Sequence, residues 1–315
     1  MSGRIDVHQH LIPNLYRRRL DERGMLALGW PAPEWSPDSA IAMMDRRGIS
    51  TGILSIGAPG VHFGDDAEAR ELARQINDQH AELVARQPER FGQLAVLPLP
   101  DVDAAVVEAR YALDELHADG VALLSNAGGR YLGDARFGPL WAELDARHAV
   151  VLVHPTAPPT LSLQPGPPGS QLDFPFETTL SAVDMAANHV PCRHPGMRVI
   201  LSRFDPLLAR RACAARVLPP DVTEEGIMSA LRGCYFDTAL SSSSAQLGSL
   251  AAFARPGRVL YGSDSPHVAD RWGRQFDRGL DEAITADRHT LAGIDRDNAV
   301  ELFPRLRHIS TNSRP

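Results

Sequence analysis

Five residues near the start of the chain, Asp6-Val7-His8-Gln9-His10, follow an apolar Ile5 and carry the clearest chemistry in the sequence. Two histidines two apart on a strand face the same side, because strand side chains alternate with a period of two. Their imidazoles can share one borderline metal ion, such as zinc, from a rigid support. The same pattern also describes two hydrogen-bonded histidines at a strand end. What separates the readings is whether further ligands fall at strand ends downstream.

Such ligands need a scaffold, and the chain is long enough at 315 residues to bury a large core. Short β-rich segments alternate with helical patterns, and no repeat or linker divides them. The strand candidates are Arg4–His8, Gly52–Ile56, Gln93–Leu97, Val121–Leu124, Val150–His154, Arg198–Leu201, Cys234–Asp237 and Arg258–Tyr261. Several are near-continuous apolar runs, as expected for parallel strands buried on both faces. Ser36-Pro37 can start a helix that Gly48 stops. Asp101 precedes a stripe of Val102, Val106, Ala109, Leu113 and Leu116, and Leu72, Ile76 and Leu83 form another before Pro88. Eight strands alternating with helices predict one domain over residues 1–315, an α/β fold of the (β/α)8 TIM-barrel type. Its active site belongs at the C-terminal strand ends. An open doubly wound sheet is the alternative, but no Gly-x-Gly-x-x-Gly follows the first strand.

The barrel makes a test of the histidines. His154 closes the fifth strand, and Asp264 and His267 follow the eighth in Gly262-Ser263-Asp264-Ser265-Pro266-His267. His8, His10, His154 and Asp264 together make a sound ligand set for one zinc, leaving a position for water or substrate. His267 is expected to hydrogen-bond the substrate or Asp264, or to support them. Arg130, after a Gly-Gly pair past the fourth strand, could reach an anionic substrate or simply lie on the surface. Asp237, ending the seventh strand, could orient groups at the rim, with packing support the preferred reading. His80, His117, His148, His189, His194, His289 and His308 fall in helices or loops and read as structural.

Composition narrows the chemistry. The chain has no lysine, so all 32 basic residues are arginine. That excludes Schiff-base catalysis, a pyridoxal phosphate anchor, a phosphate-loop lysine and a carbamylated-lysine bridge between two metals. A net charge of −7, with no basic cluster beyond Arg17-Arg18-Arg19, argues against nucleic acid as partner. Three scattered cysteines suggest reduced thiols. No apolar run reaches membrane-spanning length and no signal-peptide pattern opens the chain, so cytoplasmic residence is the expectation. The proline-dense stretch from Pro155 to Pro175 is expected to form a lid or an oligomer contact.

Asp-x-His-x-His at the first strand, His154-Pro155 at the fifth and Gly-Ser-Asp-x-Pro-His at the eighth resemble the amidohydrolase superfamily, in its aminocarboxymuconate-semialdehyde decarboxylase-like branch. Pro33-Glu34-Trp35-Ser36-Pro37, Gly128-Gly129-Arg130-Tyr131-Leu132-Gly133 and Asp173-Phe174-Pro175-Phe176-Glu177-Thr178-Thr179 are similar to its methylsalicylate-decarboxylase-like members. The resemblance runs from about Ile5 to Phe303. It implies one barrel domain, a divalent metal (usually zinc, with manganese an alternative), small carboxylic-acid substrates and a homodimer.

One departure stands out. Members of the branch end the sixth strand with a histidine and glycines, and here Ser202 runs into Arg203-Phe204-Asp205-Pro206. Arginine cannot accept a proton near neutral pH, but it can pair with a carboxylate or a phenolate. Phe204 and Asp205 are expected to narrow the pocket floor. The leading expectation is non-oxidative decarboxylation of a small aromatic or unsaturated acid, with Asp264 carrying the proton and Arg203 gripping an acidic oxygen. A metal-dependent hydrolase or other lyase or cyclase step is the alternative, and a weakened binding protein on the same fold is the third.

Overall fold

A computed structural model of the chain describes residues 3–159, 173–215, 218, 220–241, 243–283 and 288–308. Within them, eight parallel strands run in sequence order around a barrel. They are β1 (Arg4–His10), β2 (Ile49–Ser55), β3 (Phe91–Val96), β4 (Gly120–Leu124), β5 (Val150–His154), β6 (Arg198–Leu201), β7 (Tyr235–Asp237) and β8 (Val259–Leu260). The ring closes between the residues after β8 and β1. Val7 donates its N–H to Tyr261 O at 3.0 Å, Asp264 to His8 O at 2.8 Å, and His10 to Ser265 O at 2.7 Å. Helices follow the strands, as the (β/α)8 pattern requires. No described helix is long and apolar enough to cross a membrane.

The expected helices form where their end signals stand. Pro37–Arg47 starts at Ser36, whose hydroxyl accepts from Ser39 N, and stops at Gly48 in the left-handed conformation, φ 68°. Asp65 and Asp101 cap Asp66–Arg86 and Val102–Arg110 in the same way. In Val102–Arg110 the buried line is Ala105, Glu108 and Ala109, one position round from the expected stripe. Glu108 can sit there because Arg74 donates to it at 2.9 Å and Asn77 at 2.7 Å.

Strand alternation splits the core in two. Ile53, Leu94, Ala122, Val150, Leu152, Ile200, Tyr235 and Leu260 fill the barrel. Their neighbours, among them Leu54, Ala95, Leu123, Val151 and Phe236, pack outward against the helices. The bottom of the barrel is plugged by Ala299, Leu302, Phe303 and Leu306, all at most 3 % exposed. Their spacing of three, four and seven is that of one helical face, a signal in the sequence that the strand-centred expectations overlooked.

A buried polar clasp ties the β1–β8 seam to the outer layer. Arg47 donates to both oxygens of Asp277, at 2.7 and 2.8 Å, and to Tyr261 Oη at 3.0 Å. Tyr261 in turn donates to Asp277 at 2.7 Å. Gly273 permits this approach, since a Cβ there would stand 2.6 Å from the Arg47 guanidinium. The cysteines Cys192, Cys213 and Cys234 are free thiols.

Candidate metal centre

Strict alternation from Ile5 and Val7, which face the barrel interior, would turn His8 and His10 outward. A register shift of β1 against β2 between Asp6 and Gln9 re-aims them, as bulges beside active sites do. β1 also runs on through His10, beyond the expected end at His8. On β5, His154 shares the inward parity of Val150 and Leu152, so alternation alone delivers it to the mouth. Asp264 lies past β8, with φ 57°.

These four residues are fully buried and converge: one ligand atom from each of His8, His10, His154 and Asp264 lies within 4.8 Å of the others. His8 Nε2 is 3.2 Å from His10 Nε2, and Asp264 Oδ1 is 3.1 Å from His10 Nε2 and 3.4 Å from His8 Nε2. The far side of each ring is already engaged. Nδ1 of His8 meets Asp237 Oδ2 at 2.8 Å, Nδ1 of His154 meets Pro155 O at 2.7 Å, and Nδ1 of His10 faces Ser55 O at 3.4 Å. Carboxylate and carbonyl oxygens only accept, so each neutral ring keeps its proton on Nδ1 and turns an Nε2 lone pair to the centre. The 3.2 Å between His8 Nε2 and His10 Nε2 leaves no room for two unshared lone pairs, so the gap takes either a shared proton or a metal ion. Moreover, His154 Nε2 is buried without a hydrogen-bond partner among the described residues. The donor set therefore fits one divalent ion.

The local electrostatics agree. Burial, aided by the neighbouring His10, His8 and Arg203, keeps the His154 ring neutral and its pKa well below the usual imidazole value. Burial alone would favour a protonated Asp264, but the Arg203 guanidinium and the His10 and His8 rings outweigh it and hold the carboxyl well below the usual range. Burial likewise opposes charge on His8, yet Asp237 and Asp264 push that ring up to about 10 in the absence of an ion. A divalent cation held at the cluster would replace that proton.

Arg203 is brought to the centre, 5 % exposed, with its Nη2 donating to Asp264 Oδ2. It thus grips a carboxylate of the protein itself. Phe204 and Asp205 do not narrow the floor by filling it. Phe204 stacks into the outer core on Phe236 and Phe253, with ring centroids 5.1 and 5.6 Å away. Asp205 accepts from Leu207 N and Leu208 N at the start of the next helix. Both instead border a cavity of about 310 Å³ beside Arg203. His267 is half-buried, its ring centroid 5.0 Å from that of His10. Arg130 is not gathered in. It is exposed on a small hairpin, Asn126–Ala127 with Arg130–Tyr131, and donates to Asp134 at 3.0 Å. Most of the stretch expected to form a lid or an oligomer contact, residues 160–172, lies outside the described residues.

Asp237 has more than a packing role. Besides His8, it accepts from Ala239 N at 3.1 Å and Arg203 N at 3.4 Å. The signal was parity: Tyr235 faces the interior, so Asp237, two residues on, must as well. Glu177 was also missed. It is 1 % exposed and accepts from Tyr131 Oη at 2.9 Å and Asn126 Nδ2 at 3.1 Å, tying the helix Asp173–Ala187 to the hairpin. That helix sets Phe174 over the site, 6.3 Å from the His154 ring and 5.4 Å from the Arg203 guanidinium carbon.

Comparison with known proteins agrees with the fold. The chain is 38% identical to the 6-methylsalicylic acid decarboxylase of Aspergillus aculeatus, over 99% of both chains. A solved amidohydrolase II superposes with a TM-score of 0.85 at 31% identity, covering 96% of this chain and 100% of the other. The dihydroxybenzoic acid decarboxylase of Polaromonas sp. JS666, solved with manganese and 2-nitroresorcinol, shares the fold at 23% identity and a TM-score of 0.76, covering 96% and 97%. The amidohydrolase family pattern matches residues 5–305, and the chain belongs to that family.

Proposed function

We propose that this protein is a metal-dependent, non-oxidative decarboxylase of a single-ring hydroxylated carboxylic acid, of the class to which 6-methylsalicylate belongs. The observation that carries the reading is the complete cluster of His8, His10, His154 and Asp264 in a chain so close to such a decarboxylase over its whole length. The reaction replaces the ring carbon–carboxylate bond with a carbon–hydrogen bond, taking up one proton and releasing carbon dioxide. A divalent ion held by the four ligands would orient the substrate's carboxylate and adjacent hydroxyl and stabilise the developing charge.

The remaining work falls to the chain. A cavity of about 180 Å³ opens among the segments that follow β2, β3, β4 and β5, lined by Ile56, Leu97, Leu124, Asn126 and Thr156 among others. That is small beside a drug-sized ligand site, and suits one ring. Its lining combines aliphatic side chains with His62, Asn126 and Thr156, which offers a substituted ring both apolar and polar contacts. Arg203 attracts the substrate carboxylate and exchanges Asp264 for it. Asp264 Oδ2, so released, can hold the proton destined for the ring carbon. His267, at the mouth, hydrogen-bonds the substrate or Asp264, and Phe174 excludes water.

The three imidazoles favour zinc as the resident ion, with manganese the alternative that the related structure suggests. The resemblance extends the reading to a homodimer acting on a small-molecule acid, and we place it in the cytoplasm. Purified protein loaded separately with zinc and with manganese, offered 6-methylsalicylate and a panel of hydroxybenzoates, should release carbon dioxide and a product lighter by that mass. A product heavier by one water, or no turnover of any member, would overturn the proposal.

A further inference from the structure

Where the resemblance leads one to expect a histidine, this chain carries a fixed cation. Arg203 follows β6 by two residues, is 5 % exposed and has φ 56°. Asp264, its partner, has φ 57° and is 1 % exposed. Two non-glycine residues in the left-handed region, facing each other across the barrel mouth, are costly unless their surroundings hold them there. Here the hold is visible. Arg203 N donates to Asp237 Oδ1 at 3.4 Å, Phe174 covers the guanidinium, and Asp264 N donates to His8 O at 2.8 Å.

The pairing divides the duties of one carboxylate. Oδ1 faces Nε2 of His8 and of His10, while Oδ2 lies on Arg203 Nη2. Arginine keeps its charge at any pH the protein survives. Its cation therefore competes with a divalent ion for the same carboxylate and repels that ion through a poorly screened interior.

We infer that Arg203 is a positioning residue of the metal centre: it confines Asp264 to ligation through Oδ1 and loosens the site's grip on its divalent ion. The inference rests on the metal reading above and goes beyond it, since the ligand set alone would predict a tight site.

The test is titration calorimetry of metal-stripped protein with manganese and with zinc. Arg203→Met should bind both about tenfold or more tightly, the scale on which partners of metal ligands act. Arg203→Lys, which restores the charge, should stay near the wild-type affinity. Infrared spectra of the manganese-loaded proteins should show the narrower carboxylate splitting of two-oxygen ligation in Arg203→Met only. Unchanged or weaker metal binding by Arg203→Met, or tightening of Arg203→Lys to the same extent, would overturn the inference. His154→Ala separates the two claims. If it leaves metal binding intact, the metal site itself is wrong. If it abolishes binding while Arg203→Met matches wild type, only the role of Arg203 fails.

Discussion

Asp237→Asn isolates one hydrogen bond of the metal centre. Asp237 Oδ1 accepts from Ala239 N at 3.1 Å and Arg203 N at 3.4 Å, and an amide oxygen can keep both. Oδ2 accepts from His8 Nδ1 at 2.8 Å, and an NH₂ group in its place sets donor against donor. The His8 ring must then move its proton to Nε2, the nitrogen that faces the cluster, or turn away. Both responses remove a ligand lone pair. A buried hydrogen bond to a charged group contributes about 1.5–3 kcal/mol. At 1.4 kcal/mol per factor of ten, metal affinity should fall about 10- to 100-fold. Calorimetric titration of metal-stripped protein reads this directly, and near-ultraviolet circular dichroism checks that the barrel is unchanged. Binding within about threefold of wild type would refute the argument. It would mean that the Ser202 hydroxyl, 2.9 Å from the same nitrogen, can hold the ring unaided.

Two further outcomes concern stability. Arg47→Met leaves the buried Asp277 with the Tyr261 hydroxyl and a distant Arg4, and should cost about 3 kcal/mol or more in urea unfolding. A loss under about 1 kcal/mol would show that Tyr261 suffices. His80, 1 % exposed with Nε2 3.1 Å from Gly92 O, is held neutral: burial pushes its pKa from 6.5 to about 3. Its contribution is complete above pH 6.5 and is lost as pH falls toward 3, because only the unfolded chain takes the proton. Between pH 7 and 5 that loss is about 2 kcal/mol, so His80→Gln should show a shallower acid decline by that amount. Equal declines in the two proteins would exclude His80 as the cause.

The fold was legible because its signals are local. Val150-Val151-Leu152-Val153 is apolar at every position, and a strand buried on both faces requires that. Ser36-Pro37 and Gly48 bracket a helix through hydrogen bonds and dihedral angles set within a few residues. The metal ligands were legible for a related reason, since a barrel turns the question of proximity into one of strand ends. What stayed hidden depended on distant pairings. The shift that turns His8 inward is a property of β1 and β2 together. Arg130 is a local exception: its surface and substrate readings stood level, and the short hairpin and Asp134, four residues on, settle it on the surface. Glu177 gained meaning only when its helix met Asn126 and Tyr131. Phe204 was read toward the pocket, and it faces Phe236 and Phe253 instead, because the outer core had room for a ring.

The first residue of the Asp-x-His-x-His motif now has a physical account. Asp6 is not among the four ligands. Its Oδ1 accepts from His8 N at 3.1 Å and from Ser263 N at 3.0 Å, so one atom joins the strand that carries two ligands to the loop that carries the fourth. Beside it, Asp264 N donates to His8 O, and the same seam that closes the barrel sets Asp264 against His8. Burial makes this a costly place for a charge, and it pushes the Asp6 carboxyl up to about 6. An apolar residue would avoid that cost but would leave two buried N–H groups without acceptors, each a loss of about 1–3 kcal/mol. The motif is therefore two ligands and a fastener. Where the bulge of β1 breaks the regular ladder, a side-chain oxygen takes over its hydrogen bonds, and the geometry of the metal site follows from how the barrel is closed.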